Sequence, residues 1–238
     1  VWFLAVVAAP ALVMAESMVR GRGLVRACGW AFALVVTEIA VALLFWSGTL
    51  AEQVLAPLEN MRSDAFLSEL RAGGVPPEQV TAWSEQVETL RGALGIVFPA
   101  IFVIGGALMV LANAALLRLY LARRDPGWLE DGEFERVRWP LGLVGVFILS
   151  GAAVLVPAAR ATAYNVLLVV AFFFALQGLA VVGFYARRLA GPPLLRAAVV
   201  VLVLVNPWAP QILALLGLFD NWFDFRRWAE PPGEDEGT

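Results

Sequence analysis

The chain alternates between long apolar runs and short polar connections. Most of the runs have about the twenty residues that a helix needs to cross a hydrocarbon core of roughly 30 Å. They are apolar nearly all round, which is typical of membrane spans and not of soluble helical bundles. The runs cover residues 1–18, 27–48, 92–117, 139–156, 161–186 and, with an interruption, 194–219.

This pattern predicts an all-α, polytopic transmembrane helix bundle of about five to six spans. Composition agrees, because 61% of the residues are hydrophobic and only 16% are charged, against about 25% charged in a soluble domain. The first apolar stretch, residues 1–15, would reach only about 22 Å as a helix. Either a start codon was translated literally as Val or the true N-terminus has been cut off, and the short reach favours truncation.

Arginine residues indicate the orientation of the bundle. Loops 20–26, 118–138 and 187–196 are rich in arginine, whereas the segment 49–91 carries three arginines against seven acidic residues. Positive residues in short loops favour the cytoplasmic side. We expect these three loops in the cytoplasm and the protein in the inner membrane of a bacterium. The net charge of −3 gives no reason to expect a nucleic-acid partner.

The segment 49–91 is predicted to form an amphipathic helical hairpin on the extracytoplasmic side, inserted in a bundle that covers residues 1–228. Pro57 suits the first position of a helix, Gly73 and Gly74 suit its end, and Pro77 suits the start of a second helix. Three interpretations stay open. The hairpin is a cap packed over the bundle, a lid over a solute site, or a docking surface for an envelope partner.

Glu38 lies in the middle of the second apolar run, where a carboxylate costs about 3 kcal/mol on insertion scales. Gly29, Ala33 and Thr37 follow each other at four-residue spacing on the same helix, a pattern that allows close approach of a neighbouring helix. Glu38 borders this stripe, so we expect it to face the bundle interior. An intramembrane carboxylate is either a functional group or a structural hydrogen-bonding group.

Amide side chains occupy other runs, namely Asn113, Asn165 and Gln177. Such amides serve either as hydrogen bonds between helices or as ligand contacts. Pro99 and the glycines at 105–106 predict a kinked or loosened third helix. The candidate solute-binding residues are Glu38, Asn113, Asn165 and Gln177.

No pattern of catalytic residues emerges from the sequence. The chain has no histidine and a single cysteine, Cys28, so the commonest general base and metal ligand is missing. There is no nucleophile elbow, phosphate-binding loop or metal motif. We expect no enzyme activity, no metal and no cofactor.

The last run contains the sequence 206–210, Asn-Pro-Trp-Ala-Pro, which interrupts helical hydrogen bonding. Aromatic and charged residues follow, a mixture that is typical of an anchor at the membrane interface. Asp224 and Arg227 are three residues apart and are predicted to pair. Residues 229–238 are predicted to be a disordered acidic tail. The motif residues are Gly217, Asp220, Phe223, Asp224, Arg226 and Arg227.

Two topologies remain open for this last run. A single kinked span would place the C-terminus outside, although Arg226 and Arg227 favour the inside. A re-entrant pair of half-helices, each about nine or ten residues long, would keep the motif in the cytoplasm.

The residues 217–220, Gly-Leu-Phe-Asp, and 223–227, Phe-Asp-Phe-Arg-Arg, resemble the YybS-like bacterial membrane proteins, a domain family of unknown function. Weaker parts of the resemblance are 177–180, Gln-Gly-Leu-Ala, and 98–100, Phe-Pro-Ala, with Asn113 and Arg118. The resemblance implies a helical membrane fold and a longer N-terminal part, and it implies no activity. It also suggests a loose likeness to the substrate-binding components of vitamin-type transporters.

Two hypotheses of function follow. In the first, the protein binds or moves a small solute in the membrane. In the second, it is a membrane scaffold or envelope assembly factor, and the hairpin and the C-terminal motif are its contact surfaces. The expected partners are the lipid bilayer and either a small-molecule solute or another membrane protein.

Overall fold

The computed structural model describes residues 2–21, 23–124, 134–188, 201 and 205–229. Within these ranges the chain forms helices joined by turns, without a strand, so the predicted all-helical class is confirmed for this part. Two 3-10 turns cover Phe134–Arg136 and Phe225–Ala229. The helices are α1 Trp2–Val19, α2 Leu24–Asn60, α3 Asp64–Ala72, α4 Pro77–Arg124, α5 Leu141–Ala153, α6 Arg160–Arg188 and α7 Ala209–Phe223.

Three of the described helices are long and apolar enough to cross a membrane: α2 through Leu24–Ala42, α4 and α6. By contrast, α5 has 13 residues and α7 has 15, which correspond to about 20 and 22 Å. The 139–156 run was expected to give a helix of spanning length, and this is wrong, because turns follow Ala153. The total of five to six spans stays a prediction.

One hydrophobic core joins α1, α2 and α4. Met14 of α1 packs with Ala27, Ala31 and Val35 of α2 and with Val110 of α4. Small side chains on α2 let both neighbours approach closely. A Cβ at position 106 of α4 would overlap the side chain of Val35, so this crossing requires a glycine.

A second core joins α5, α6 and α7. Val144 of α5 packs with Val170 and Phe174 of α6, and residues of α7 cover the same cluster. The two cores meet where the rings of Phe32 on α2 and Phe173 on α6 lie 5.1 Å apart in an edge-to-face contact. Edge-to-face geometry is a favourable arrangement for two aromatic rings.

The small-residue stripe of α2 lies on the opposite side from the one expected. Gly29, Ala33 and Thr37 are exposed in the described chain, and the Thr37 hydroxyl donates to the Ala33 carbonyl of its own helix at 2.8 Å. The face that packs against α1 and α4 is the opposite one, which contains Ala27, Ala31 and Val35. Period-four spacing thus identified a stripe of small residues, but a second stripe with the same spacing makes the contacts.

The polar segment forms a stalk, defined here as residues 52–91. It consists of the end of α2, the whole of α3 and the start of α4. Pro57 lies inside α2 and does not begin a helix, so that prediction is wrong. Pro77 does begin α4, and α3 ends at Gly73, followed by Gly74 with a φ of +86°.

Contacts within the stalk hold its two long helices together. Arg91 of α4 pairs with Glu59 of α2 at 3.0 Å, and Arg62 pairs with Glu88. The Trp83 indole donates to the Met61 carbonyl at 3.3 Å. Because α2 and α4 are each continuous, the stalk is a direct extension of the apolar bundle.

The contacts fix the direction of the three long helices. Gly95 of α4 lies against Leu55 of α2, and Gly106 lies against Val35, so α2 and α4 are antiparallel. Asn165 of α6 contacts Ala100, and Phe173 contacts Phe32 further along the bundle. Helix α6 is therefore parallel to α4.

Helix α7 is parallel to α6, although it follows α6 in the chain. Gly178 of α6 lies against Gly217, and the hydroxyl of Tyr185 donates to the carbonyl of Phe225 just beyond α7. A Cβ at Gly178 or at Gly217 would overlap backbone atoms of the other helix. The two backbones are thus in direct contact at this crossing.

These directions place most of the described arginines at one end of the bundle, called here the arginine-rich end. The stalk lies at the opposite end. Arg22 and residues 189–196, including Arg196, lie outside the described residues, as do 125–133 and the tail from Glu230 onward; Ala229 belongs to the last 3-10 turn. The arginine-rich end contains Arg20, Arg26, Arg118, Arg123, Arg124, Arg136, Arg138, Arg187, Arg188, Arg226 and Arg227.

Replacing Gly217 with Ala should separate α6 from α7, because the added Cβ would overlap the Phe174 carbonyl. Overpacking of this kind costs about 1–3 kcal/mol, so the melting temperature in mild detergent should fall. Gly145→Ala on α5 is the matched control, since a Cβ there meets nothing within 4 Å. Equal melting temperatures for the two variants would contradict the close α6–α7 packing.

Candidate functional site

A buried carboxylate, Asp220, is the centre of a polar cluster near the arginine-rich end. It lies on the last turn of α7 and is completely buried. Its Oδ2 accepts hydrogen bonds from the Gln177 amide at 3.0 Å and from Nη1 of Arg226 at 3.0 Å. Its Oδ1 accepts from the backbone N–H of Phe225 at 3.2 Å. The charge of Asp220 is therefore both paired and hydrogen-bonded, as a buried charge requires.

The segment that precedes α5 completes the cluster. Nη2 of Arg138 donates to the Asp220 backbone carbonyl at 2.8 Å and lies 3.1 Å from a carboxylate oxygen of Asp224. Nη2 of Arg226 donates to the Val137 carbonyl at 3.0 Å. Each arginine thus joins α7 or the turn after it to residues 137–138.

Gln177 connects the same segment to α6. Its side-chain oxygen accepts from the Trp139 backbone N–H at 3.0 Å, while its amide nitrogen donates to Asp220. The Trp139 indole donates to the Phe173 carbonyl at 2.7 Å. Both ends of the Gln177 amide are therefore used between protein groups. We call Arg138, Gln177, Asp220, Asp224 and Arg226 the Asp220 cluster.

The predicted pair of Asp224 and Arg227 is absent from this arrangement. Asp224 has a left-handed φ of 45°, which ends α7 and turns its carboxylate toward Arg138. Arg227 contacts Asp224 only through its backbone N–H, which donates to the Asp224 carbonyl at 2.9 Å, and its side chain is exposed. Phe223 is also exposed, as expected for an interfacial anchor, and Gly217 lies in the helix crossing.

Asn165 of α6 lies beside Pro99 of the continuous helix α4. Its side-chain oxygen accepts from the Ala100 N–H at 2.8 Å, and its amide donates to the Ile96 carbonyl at 2.7 Å. It also donates to the Ala161 carbonyl of its own helix at 2.8 Å. The side chain thus bonds to backbone groups next to the proline, where helical hydrogen bonding is weakened.

Among the candidate residues outside the Asp220 cluster, Glu38 and Asn113 each have a buried polar atom without a hydrogen-bond partner in the described chain, as Arg226 of the cluster also has at its Nε. The atoms are Oε2 of Glu38 and Nδ2 of Asn113. Val35 and Ile39, which flank Glu38, lie against Gly106 of α4. Buried polar atoms normally have a partner, so these two atoms are the clearest candidates for contact with a ligand.

The structure brings Gln177 together with Asp220, Asp224 and Arg226 of the C-terminal motif, whereas Asn165 bonds to α4 near Pro99. Glu38 and Asn113 make no hydrogen bond to the Asp220 cluster among the described residues. Sequence reasoning assigned Arg138 only to a cytoplasmic loop and missed its place in the Asp220 cluster. The sequence feature that could have drawn attention to Arg138 is Arg-Trp-Pro at 138–140, where a charged residue directly precedes an apolar run. The partner of such a charge depends on the tertiary fold.

Comparison with known proteins agrees with this architecture. Residues 1–221 match the family described as "Predicted membrane protein (DUF2232)". The chain belongs to this family. The match covers all seven helices except the end of α7 and the turn after it. No curated protein matches the chain, and no solved structure matches it. The family description supports a membrane protein of unknown function.

Arg226→Gln should strongly destabilise the fold, because Asp220 would stay buried without its main counter-charge. Breaking a buried ion pair costs about 3–5 kcal/mol. Arg227→Gln removes the same charge from an exposed neighbour and should change the melting temperature little. Thermal unfolding in mild detergent measures both variants.

A partial recovery of stability in the exchanged variant Asp220→Arg with Arg226→Asp would strengthen the assignment of this pair. Equal stabilities of the wild type and Arg226→Gln would show that the ion pair does not support the fold.

Proposed function

We propose that this protein is a multi-pass protein of the bacterial inner membrane that binds or moves a small solute. Glu38 is the residue on which the proposal mainly rests. A carboxylate in the middle of an apolar span costs free energy on insertion, and residues of this kind usually mark functional sites. The finer likeness to the YybS-like proteins and the absence of enzyme activity are parts of the same proposal.

The unpartnered Oε2 of Glu38 supports solute binding. A buried acceptor without a donor costs free energy, and a solute with an N–H, an O–H or a positive charge would supply the donor. The part of α4 that faces this stretch of α2 contains Gly106, which lies against Val35 and Ile39. Broken or loosened helices commonly form solute sites in transporters.

The other candidate residues contribute unequally to the proposal. Asn113 has an amide nitrogen that is free to donate, and it lies nearer the arginine-rich end. Asn165 and Gln177 use their amides between helices. We therefore assign solute contact to Glu38 and Asn113 first, and we assign Asn165 and Gln177 mainly to holding the helices that surround the site.

The arginine-rich end is proposed to face the cytoplasm, following the distribution of positive residues in short loops. The stalk would then lie on the extracytoplasmic side. Its acidic composition and its ion pairs, such as Arg91 with Glu59, suit an aqueous location. Whether the stalk acts as a cap or as a lid depends on whether it moves when the solute binds.

The alternative function is a membrane scaffold or envelope assembly factor. It is favoured by the length of the stalk, which continues α2 and α4 out of the apolar bundle, and by partly exposed apolar side chains there. Met61 is 39% exposed, Trp83 39% and Leu90 49%. A partner protein on the extracytoplasmic side would contact these residues.

Glu38→Gln should abolish retention of the solute without changing the amount of protein in the membrane. The amide keeps the size of the side chain but removes its charge. Native mass spectrometry of protein purified in mild detergent compares the small molecules that remain bound to each variant. Thr37→Val is the matched control, because Thr37 is exposed and bonds only within its own helix.

A solute retained equally by wild type and Glu38→Gln would contradict the assigned site. If the purified wild-type protein retains no small molecule and Glu38→Gln has no cellular phenotype, the solute hypothesis as a whole is contradicted.

Deletion of residues 52–90 distinguishes the scaffold hypothesis. If the protein is a scaffold, the deletion should abolish its cellular function and its capture of membrane partners in a mild-detergent pull-down, while Glu38→Gln leaves both intact. Under the solute hypothesis, the order of severity is reversed. Membrane abundance is measured for both variants, so that loss of folding is recognised.

A further inference from the structure

The direction of α7 bears on the topology of the C-terminal part. Gly178 lies against Gly217, and the hydroxyl of Tyr185 donates to the carbonyl of Phe225. These contacts advance together along both helices, so α6 and α7 run in the same direction. The C-terminal ends of α6 and α7 therefore lie at the same end of the bundle.

The contacts between α7 and α6 show at which level of α6 helix α7 begins. A Cβ at Gly178 would overlap the carbonyl of Leu213, and Gly178 is ten residues before the end of α6 at Arg188, or about 15 Å. Ala209, the first residue of α7, is one further turn away, at about 21 Å. Because the 29 residues of α6 span about 43 Å, α7 begins about halfway along α6.

The turn before α7 can lie inside a bilayer because its backbone groups are largely satisfied within the turn. The side chain of Asn206 accepts from the Trp208 N–H at 2.9 Å, and its carbonyl accepts from the Ala209 N–H at 2.9 Å. Pro207 and Pro210 have no N–H. Irregular backbone within a membrane needs such internal partners.

The Asp220 cluster fixes the other end of α7. Asp220 and Arg226 bond to Gln177 of α6 and to Val137, which precedes α5. This end of α7 therefore lies beside the start of α5 and toward the arginine-rich end of α6. Helix α7, at about 22 Å, is too short to reach both faces of a hydrocarbon core of roughly 30 Å.

We propose that α7 is a re-entrant half-helix: it begins at the turn Asn206–Trp208 inside the bilayer and ends at the arginine-rich end, where α6 also ends. The C-terminal motif then lies on the same side as loops 20–26 and 118–138. Arg226 and Arg227 join the other arginines there, which a single outward crossing would prevent.

Cysteine accessibility tests the proposal in the full chain. Cys28→Ala gives a background without cysteine, since the chain has only one. Single cysteines then replace Ala72 in the stalk, Ala122 near the end of α4, Trp228 after α7 and Val205 at the turn. A membrane-impermeant maleimide is applied to cells whose outer membrane has been permeabilised and whose inner membrane is intact. It is applied separately to cells in which the inner membrane is permeabilised as well.

We expect Trp228→Cys to show the same pattern as Ala122→Cys and a different one from Ala72→Cys, because a cysteine on the outer face reacts in both conditions and one on the inner face reacts only after permeabilisation. Val205→Cys should stay unreactive in both, because a thiol inside the bilayer does not ionise to the reactive thiolate. If Trp228→Cys instead reacts together with Ala72→Cys, the segment crosses and the proposal is overturned. Reaction of Val205→Cys from the stalk side would overturn re-entry in favour of a complete hairpin.

The test is independent of the proposed sidedness. If Ala122→Cys reacts in intact cells, the arginine-rich end faces outward and the proposed cytoplasmic location of that end is wrong. Re-entry is still decided by comparing Trp228→Cys with Ala122→Cys. Membrane abundance and a single detergent elution peak confirm folding. If Trp228→Cys fails this control, Ala229→Cys takes its place.

Discussion

The Asp220 carboxylate is surrounded by protein groups on all sides, in a molecule whose surface is mostly suited to lipid. A bilayer supplies no water to satisfy polar groups, so each buried charge needs partners from the protein itself. Asp220 obtains them from α6, from the turn after α7 and, through Arg226, from the residues before α5. The arrangement of the second core depends on this requirement, because α5, α6 and α7 must converge for the charge to be tolerated.

Other contacts hold the helices together. Small residues permit backbone contact between α6 and α7 at Gly178 and Gly217, and the Asn165 amide joins α6 to the backbone of α4 beside Pro99. Between helices in lipid, apolar surface gives little driving force, so close packing and interhelical hydrogen bonds hold the bundle. The aromatic contact of Phe32 with Phe173 adds a further connection. Glu38 lies apart from these contacts, and its Oε2 has no hydrogen-bond partner among the described residues.

Much of the fold could be predicted from the pattern of the chain. The apolar runs gave α2, α4 and α6, and Pro77 and Gly73 gave correct helix boundaries in the stalk. Pro57 was misleading, since a proline preference for the first turn of a helix does not prevent a proline from lying inside one. The prediction that Gly29, Ala33 and Thr37 face a neighbouring helix was also wrong. Residue spacing shows that side chains share a face of a helix, but it does not show which other helix contacts that face.

Much less of the candidate site could be predicted. Gln177 and the motif residues were identified separately, from a polar amide in an apolar run and from an unusual mixture of charges and aromatics. Their contact could not be foreseen, because Gln177 and Asp220 are 43 positions apart in the sequence, and such a separation does not determine their distance in space. Arg138 was identified only as a positive charge in a loop.

By itself, the sequence determined that this protein is a helical membrane protein and which stretches of it are apolar enough to lie in lipid. Hydrophobicity and helix length are local quantities, and the bilayer converts them directly into location. The tertiary structure alone decided that α7 runs parallel to α6, that Asp224 pairs with Arg138, and that Glu38 keeps an unpartnered oxygen. Each of these depends on which helices meet and at what depth, and such contacts arise only when the whole bundle satisfies its polar groups together.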